Sequence, residues 1–202
     1  MARQGDELVD PSGLRLVFGE TAESSGGAAV SLDWFVPPGE RLVPLPHVHP
    51  TEVEVFEIVA GRARYRVGRH AYERDAPYAY GIPPGALHVH PANAGAGELH
   101  VRQTVRPDPP NAELVDGVAR FFETTFALAQ RRELYAIGLF RDPLRSAITL
   151  HDLLFPFAYV AWLPIGAQEA LIGRLADVAR RRGYDAYVEP RRSRRTPAPA
   201  TA

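Results

Sequence analysis

In the stretch "PHVHPTEVEVFEIVAG", Pro46 to Gly61, two imidazoles stand one residue apart and a carboxylate follows five positions later. If the chain is extended there, side chains at i and i+2 share a face, so His47 and His49 point the same way. Pro50 to Val53 can turn the chain. Beyond the turn Glu54, Phe56 and Ile58 fall on one face, and Val55, Glu57 and Val59 on the other. A carboxylate leading two apolar side chains on an inward face is costly unless it is paired or ligates a cation. Two neutral imidazoles and a carboxylate gathered across a turn suit a divalent transition metal. The strongest candidate for a further ligand is His88 in "IPPGALHVHPAN", opening a strand after the tight turn that Gly85 permits. His90 shares the face of His88, so one of the two can ligate while the other orients a ligand or moves a proton. Glu52 has the parity of Glu54 and is the alternative carboxylate; Glu57 belongs to the outer face. His70, His100 and His151 are read as ordinary solvated or satisfied histidines.

Composition narrows the chemistry. The chain has 202 residues, 46% of them hydrophobic and 23% charged, as in soluble globular proteins. It contains no cysteine, which removes disulfides, zinc-thiolate sites and thiol nucleophiles. All 23 basic residues are arginine, so Schiff-base catalysis is excluded. The same arginine bias fits a GC-rich bacterial source. A formal charge of −1 argues against a bulk nucleic-acid binder, and Ala167 to Val178 has none of the basic character of a recognition helix. The N-terminus lacks an apolar signal core, and the longest apolar run, Leu153 to Gly166, is broken by prolines and too short to span a bilayer. A cytoplasmic protein without nucleic-acid or membrane partners is expected.

The elements that must position these groups are β up to about residue 106. "GLRLVFGE", "AAVSLDWFV", "VEVFEIVAG", "RARYRVG", "YAYGIPPGALHVHP" and "GELHVRQTVRP" read as short strands, with a turn near Gly61. Their spacing predicts an antiparallel sandwich or small barrel over 1–107. "RPDPPN" breaks the ladder, and helical periodicity follows over 108–189. Asn111 is the expected cap of a helix carrying Leu114, Val118, Phe121, Phe122 and Phe126. Asp142-Pro143 starts a second helix. A third carries a stripe of Leu171, Leu175, Val178 and Ala179 and stops at Gly183. Residues 190–202, rich in Arg, Pro and Ala, are expected to be a disordered tail. The aromatic run Phe155, Phe157, Tyr159 and Trp162 is expected to pack on the barrel or on a second subunit.

The pattern His47-x-His49, four residues, Glu54, six residues, Gly61 resembles the first motif of the cupin superfamily, and Pro83-x-Gly85-x2-His88 resembles the second. Pro77 stands where that second motif has a leading glycine, and Asn93 comes one residue late. The resemblance spans about Gly13 to Arg106. It implies a mainly β fold, a double-stranded β-helix or jelly-roll barrel, here followed by an α-helical C-terminal extension. Within the barrel, His47, His49, Glu54 and His88 would hold one divalent transition metal: iron, manganese, nickel, zinc, copper or cobalt. A ligand pocket lined by Phe56, Ile58, Tyr65 and Trp34 would admit a partly apolar small molecule. The implied function is a metal-dependent small-molecule enzyme, a dioxygenase-type oxidoreductase first and an isomerase or cyclase next, with His90 as the candidate for proton transfer. The alternative is a non-catalytic ligand-binding or assembly cupin. A homodimer is expected in either case. The extension is similar to helical tails of small bacterial cupins.

Overall fold

Alternation along the strands builds two walls that face each other. In the computed structural model, which describes residues 2–43, 45–134, 140–155, 157–161 and 163–194, the chain begins with β1 (Asp6–Val9), β2 (Arg15–Phe18), a single-turn α1 (Ala22–Ser25) and β3 (Val30–Val36). Then come β4 (His47–Val48), β5 (Val53–Ala60), β6 (Arg62–Val67), β7 (His70–Asp75), β8 (Tyr78–Ile82), β9 (His88–Asn93) and β10 (Leu99–Arg106). The helices are α2 (Ala112–Gln130), α3 (Pro143–Thr149), which runs into a π-helical turn (Leu150–Leu154), and α4 (Ile165–Arg181); β11 (Tyr159–Val160) and β12 (Ser193–Arg194) lie among and after them.

One sheet has the order β12-β1-β2-β3-β10-β5-β8 and the other β11-β4-β9-β6-β7, all neighbours antiparallel. Jelly-roll crossovers between the sheets make this a double-stranded β-helix, as the resemblance implied. On β5 the buried side chains are Glu54, Phe56 and Ile58, while Val53, Glu57 and Val59 are exposed, so the parity read from the sequence holds. Opposite them β10 turns Leu99, Val101, Gln103 and Val105 inward. One core joins the inner faces of the sheets to α2, whose Phe122 and Phe126 rings lie 5.1 and 6.1 Å from Trp34.

The β5–β6 turn needs glycine. Gly61 has φ 87°, and a Cβ there would meet the Glu98 carbonyl oxygen at 3.0 Å and Leu99 Cα at 3.1 Å. Left-handed backbone costs an L-residue roughly 1–2 kcal/mol before any crowding. Gly61→Ala is therefore expected to destabilise by about 2 kcal/mol and lower Tm by roughly 4–8 °C, read by thermal denaturation.

The helical caps fall where expected. Asn111 Oδ1 accepts from Leu114 N at 3.0 Å, and Asp142 Oδ1 accepts from Leu144 N at 2.9 Å. Two expectations are corrected. Leu171, placed in the apolar stripe of α4, is 54% exposed; the buried positions are Gln168, Ala176 and Ala179, because Gln168 turns in to bond the backbone of Val160 and Leu163. Residues 191–194, assigned to the tail, contact the body of the fold. Buried Glu123 of α2 accepts from Arg192 Nη2 at 2.5 Å, and Arg192 Nη1 lies 3.6 Å from Asp6 Oδ2. A buried carboxylate without a cation is strongly destabilising, so the chain is held there, and β12 pairs with β1. Residues 195–202 lie outside the described residues.

Candidate metal centre

The four expected ligands come together. β4 pairs with β9 so that His47 and His88 stand opposite one another, and β5 presents Glu54 from the facing sheet. His90, two residues along β9, joins them. One ligand atom from each of His47, His49, Glu54, His88 and His90 lies within 4.8 Å of all the others, and none of the five residues is more than 6% exposed.

The backbone fixes how the imidazoles face. Nδ1 of His47 is 2.8 Å from the Leu45 carbonyl oxygen, that of His49 is 2.9 Å from Phe157 O, and that of His88 is 3.0 Å from Ala86 O. A carbonyl oxygen only accepts, so each Nδ1 carries the proton and donates it. Each Nε2 is left with its lone pair, the form in which imidazole ligates a metal. The Nε2 atoms of His49 and His88, Glu54 Oε2 and both ring nitrogens of His90 are buried without a hydrogen-bond partner.

His88 Nε2 sits 2.9 Å from Glu54 Oε2, and His49 Nε2 3.5 Å from it. With the imidazole proton on Nδ1, the first pair is two lone-pair atoms in near contact, an arrangement that a cation between them relieves. The residues present therefore fit a bound divalent metal: nitrogen and carboxylate donors, buried, convergent and otherwise unsatisfied.

The electrostatics agree. Burial pushes the Glu54 carboxyl up, but the surrounding imidazoles of His90, His49 and His88 more than offset it and hold it well below the usual range. Burial, reinforced by His90, His88 and His49, drives His47 well below the ordinary imidazole value, and burial also lowers His90. His49 moves the other way: burial pulls it down, but Glu54 and the Phe157 carbonyl raise it. An anionic carboxylate beside His47 and His90, both of which resist protonation, suits a bound cation.

Glu54 is oriented by residues that sequence reasoning missed. Gln103 Nε2 donates to Glu54 Oε1 at 2.5 Å, and Trp34 Nε1 donates to Gln103 Oε1 at 2.7 Å. Gln103 thus occupies one carboxylate oxygen and leaves Oε2 toward His88 and His49, while His90 Nε2 lies 3.4 Å from Oε1. The available signal was a lone amide in the inward alternation Leu99-Val101-Gln103-Val105, since a buried polar side chain implies a partner.

The C-terminal extension forms part of this centre. β11 pairs with β4, setting Val160 opposite His47, and Phe157 supplies both the carbonyl that holds His49 and a ring 4.2 Å from the His49 ring. The aromatic run thus packs on the barrel, with Phe155 stacked on Tyr159 at 4.7 Å; Trp162 lies outside the described residues. The turn that delivers Phe157 follows the π-helical stretch, a distortion common at functional sites.

The other candidates take ordinary roles. His70 is exposed, and His100 pairs with Asp33 at 2.8 Å and stacks on Phe35. His151 faces Asp152 and Arg180 on the surface. Buried Glu52 accepts from Thr51 Oγ1 at 2.6 Å and is outside the cluster. Asn93 closes the second motif, donating to Val36 O and Gly97 O and accepting from Gly95 N. The expected pocket is corrected. Phe56, Ile58 and Tyr65 are packed core, with Tyr65 stacked on Tyr80 at 3.8 Å, and only Trp34 of the four also lines a sizeable cleft, on the side of α2. No helix among the described residues is long and apolar enough to cross a membrane.

No family model matches the chain, and no curated protein matches it. Solved structures do. A conserved protein with a double-stranded β-helix domain from Klebsiella pneumoniae is 21% identical, with 52% of this chain and 87% of that chain covered and a TM-score of 0.42. A predicted oxalate decarboxylase from Thermotoga maritima is 18% identical over 46% of this chain and 80% of its own, at 0.43. The Cnp3 cupin domain of Schizosaccharomyces pombe is 18% identical over 46% and 62%, at 0.38. These scores are low, so the architecture rests on the strand pairing and the cluster described above. In fold, the chain is a double-stranded β-helix enclosing a histidine–glutamate cluster, with a C-terminal helical extension packed against one side of it.

Proposed function

We propose that this protein is a metal-dependent small-molecule enzyme of the cupin type, with dioxygen-using oxidation as its reaction class and isomerase or cyclase chemistry behind it. The observation that carries the reading is the 2.9 Å approach of His88 Nε2 to Glu54 Oε2, two acceptor atoms inside a buried five-residue donor cluster. His47, His49, Glu54 and His88 would hold the ion, which when bound supplies Lewis-acid or redox activation of an oxygen ligand. Gln103 holds Glu54 in one rotamer. Phe157 and the walls of the barrel keep bulk water from the cluster, which strengthens each electrostatic contact inside it. His90, with both nitrogens unpartnered and Nε2 3.4 Å from Glu54 Oε1, is placed to hold or pass a proton.

A non-catalytic ligand-binding or assembly cupin is the second reading. What favours it is the closure of the cluster together with the position of the cleft, which none of the five donors lines. Metal analysis of protein purified without an affinity tag, followed by oxygen-electrode assays with a pooled small-molecule extract, separates the two. Near-stoichiometric metal, lost in His47→Ala, with oxygen consumed and an extract component altered, is the expected result. Metal without consumption or any altered component, or metal content unchanged in His47→Ala, decides for the non-catalytic reading.

A further inference from the structure

A cleft of about 730 Å³ lies between α2, the β1–β2 turn and the β3–β4 connection, within the range of small-molecule sites. Its apolar surface comes from part-buried Leu14, Val43 and Phe121, backed by Trp34, Leu42, Phe122 and Phe126, which are themselves no more than 6% exposed. The Trp34 N–H is engaged by Gln103, so the base of the cleft offers no indole donor.

The rim is charged, and its charges are not equally available. Asp10 Oδ1 is engaged by Ser12 N, Ser12 Oγ and Leu14 N. Arg141 donates to Leu134 O and has a further partner. Arg41 and Arg132 line the cleft, are exposed, and have no ion pair or side-chain hydrogen bond among the described residues. Glu40, which is part-buried, is the acidic residue of the rim without an ion pair or side-chain hydrogen bond among the described residues, so available guanidinium groups outnumber available carboxylates two to one.

Arg132 carries a second, independent sign. It follows the last residue of the α2 cap with φ 60°, the left-handed position that glycine usually fills. The helix end is otherwise regular: Glu133 N reaches back to Leu128 O at 2.8 Å, and Arg132 N to Ala129 O at 2.9 Å. Glycine would make the same bonds without the steric cost of a Cβ. The strained arginine is thus unexplained by the fold and is accounted for by what its side chain does at the rim.

We propose that this cleft binds a small organic carboxylate with an apolar, partly aromatic body, the anion held by Arg41 and Arg132 and the body laid against Leu14, Val43 and Phe121. Arginine is the side chain suited to planar carboxylates, and the part-buried apolar walls supply the rest of the contact area. The site goes beyond the metal centre and stands without it, because no metal-cluster residue lines the cleft.

Isothermal titration with phenylbutyrate and with phenylbutanol, alike in body and different in charge, tests it. Phenylbutyrate is expected to bind at least tenfold more tightly than the alcohol. Arg132→Gly is expected to weaken phenylbutyrate several-fold while raising Tm by about 2–4 °C, opposite signs that a merely structural arginine would not produce. Arg41→Ala is expected to weaken it similarly, and His47→Ala to leave it unchanged, which keeps this site's failure distinct from that of the metal reading. Equal affinity for acid and alcohol, binding of neither at millimolar concentration, or wild-type affinity in Arg132→Gly would overturn the proposal.

Discussion

Metal-loaded protein is expected to melt about 10 °C above the stripped protein, and His88→Ala to erase that gap. A ligand present at a thousandfold its Kd adds about 4 kcal/mol to stability, and in a chain of this length each kcal/mol moves Tm by roughly 2–4 °C. The cluster gives a reason to expect affinity of that order. Stripped, it leaves five buried ring or carboxylate atoms without partners, each a desolvation cost that ligation removes. His88 is the informative position because its Nε2 makes the closest approach to Glu54, and its Nδ1 is already committed to Ala86 O. Alanine there takes away a donor and the lone-pair contact together, so stripped His88→Ala should be no less stable than stripped wild type beyond the usual cost of a small cavity. The check is scanning calorimetry of both proteins with and without manganese, cobalt and nickel in turn. Uptake should weaken on acidification, since protons compete for the ligands. His49, whose proton affinity is raised, is expected to protonate before His47, whose proton affinity is lowered. Identical melting with and without every metal, or undiminished binding by His88→Ala, would remove the metal centre.

What could be read in advance, and what could not, follows from where each interaction is encoded. The ligand set was legible because side-chain parity along an extended chain is rigid: once Phe56 and Ile58 are inside, Glu54 must be, and once His88 is inside, so is His90. The helix starts were legible because Asn111 and Asp142 act on backbone amides two or three residues away. Less was visible where partners are distant or made of backbone. β7 is mostly exposed and charged, so it carries no alternation to detect. β12 exists because Arg192 meets Glu123 and Asp6 from far along the chain. The role of the extension in the metal centre depends on a carbonyl, that of Phe157, and a backbone oxygen has no signature in a sequence. Leu171 misled because an apolar stripe on a helix can be widened by residues that never reach the core.

Gln103→Leu is the substitution expected to do most damage for the least change in volume. Gln103 is 1% exposed and its amide is used at both ends, receiving the Trp34 indole N–H and donating to Glu54 Oε1. Leucine fills the space but abandons both partners in the interior. A buried group stripped of its partner costs about 1–3 kcal/mol, and more when it is charged, so a loss of about 3–5 kcal/mol is expected in the metal-free protein. The second consequence concerns the metal. Without the amide, Glu54 can swing Oε1 toward His90 Nε2, 3.4 Å away, instead of keeping Oε2 on His88 and His49. Loss of a partner that orients a ligand typically lowers metal affinity 10–100-fold. Gln103→Glu discriminates between lost packing and lost orientation: it preserves shape and an acceptor for Trp34 but sets a second carboxylate against Glu54. If orientation is what matters, the glutamate variant should bind metal at least as poorly as the leucine variant at neutral pH. It should recover part of the difference on mild acidification, when a proton shared between the two carboxylates restores the donor. Titration of a chelator-buffered metal at two pH values reads this directly. Wild-type affinity in Gln103→Leu would mean that the β-wall, not the amide, sets the Glu54 rotamer.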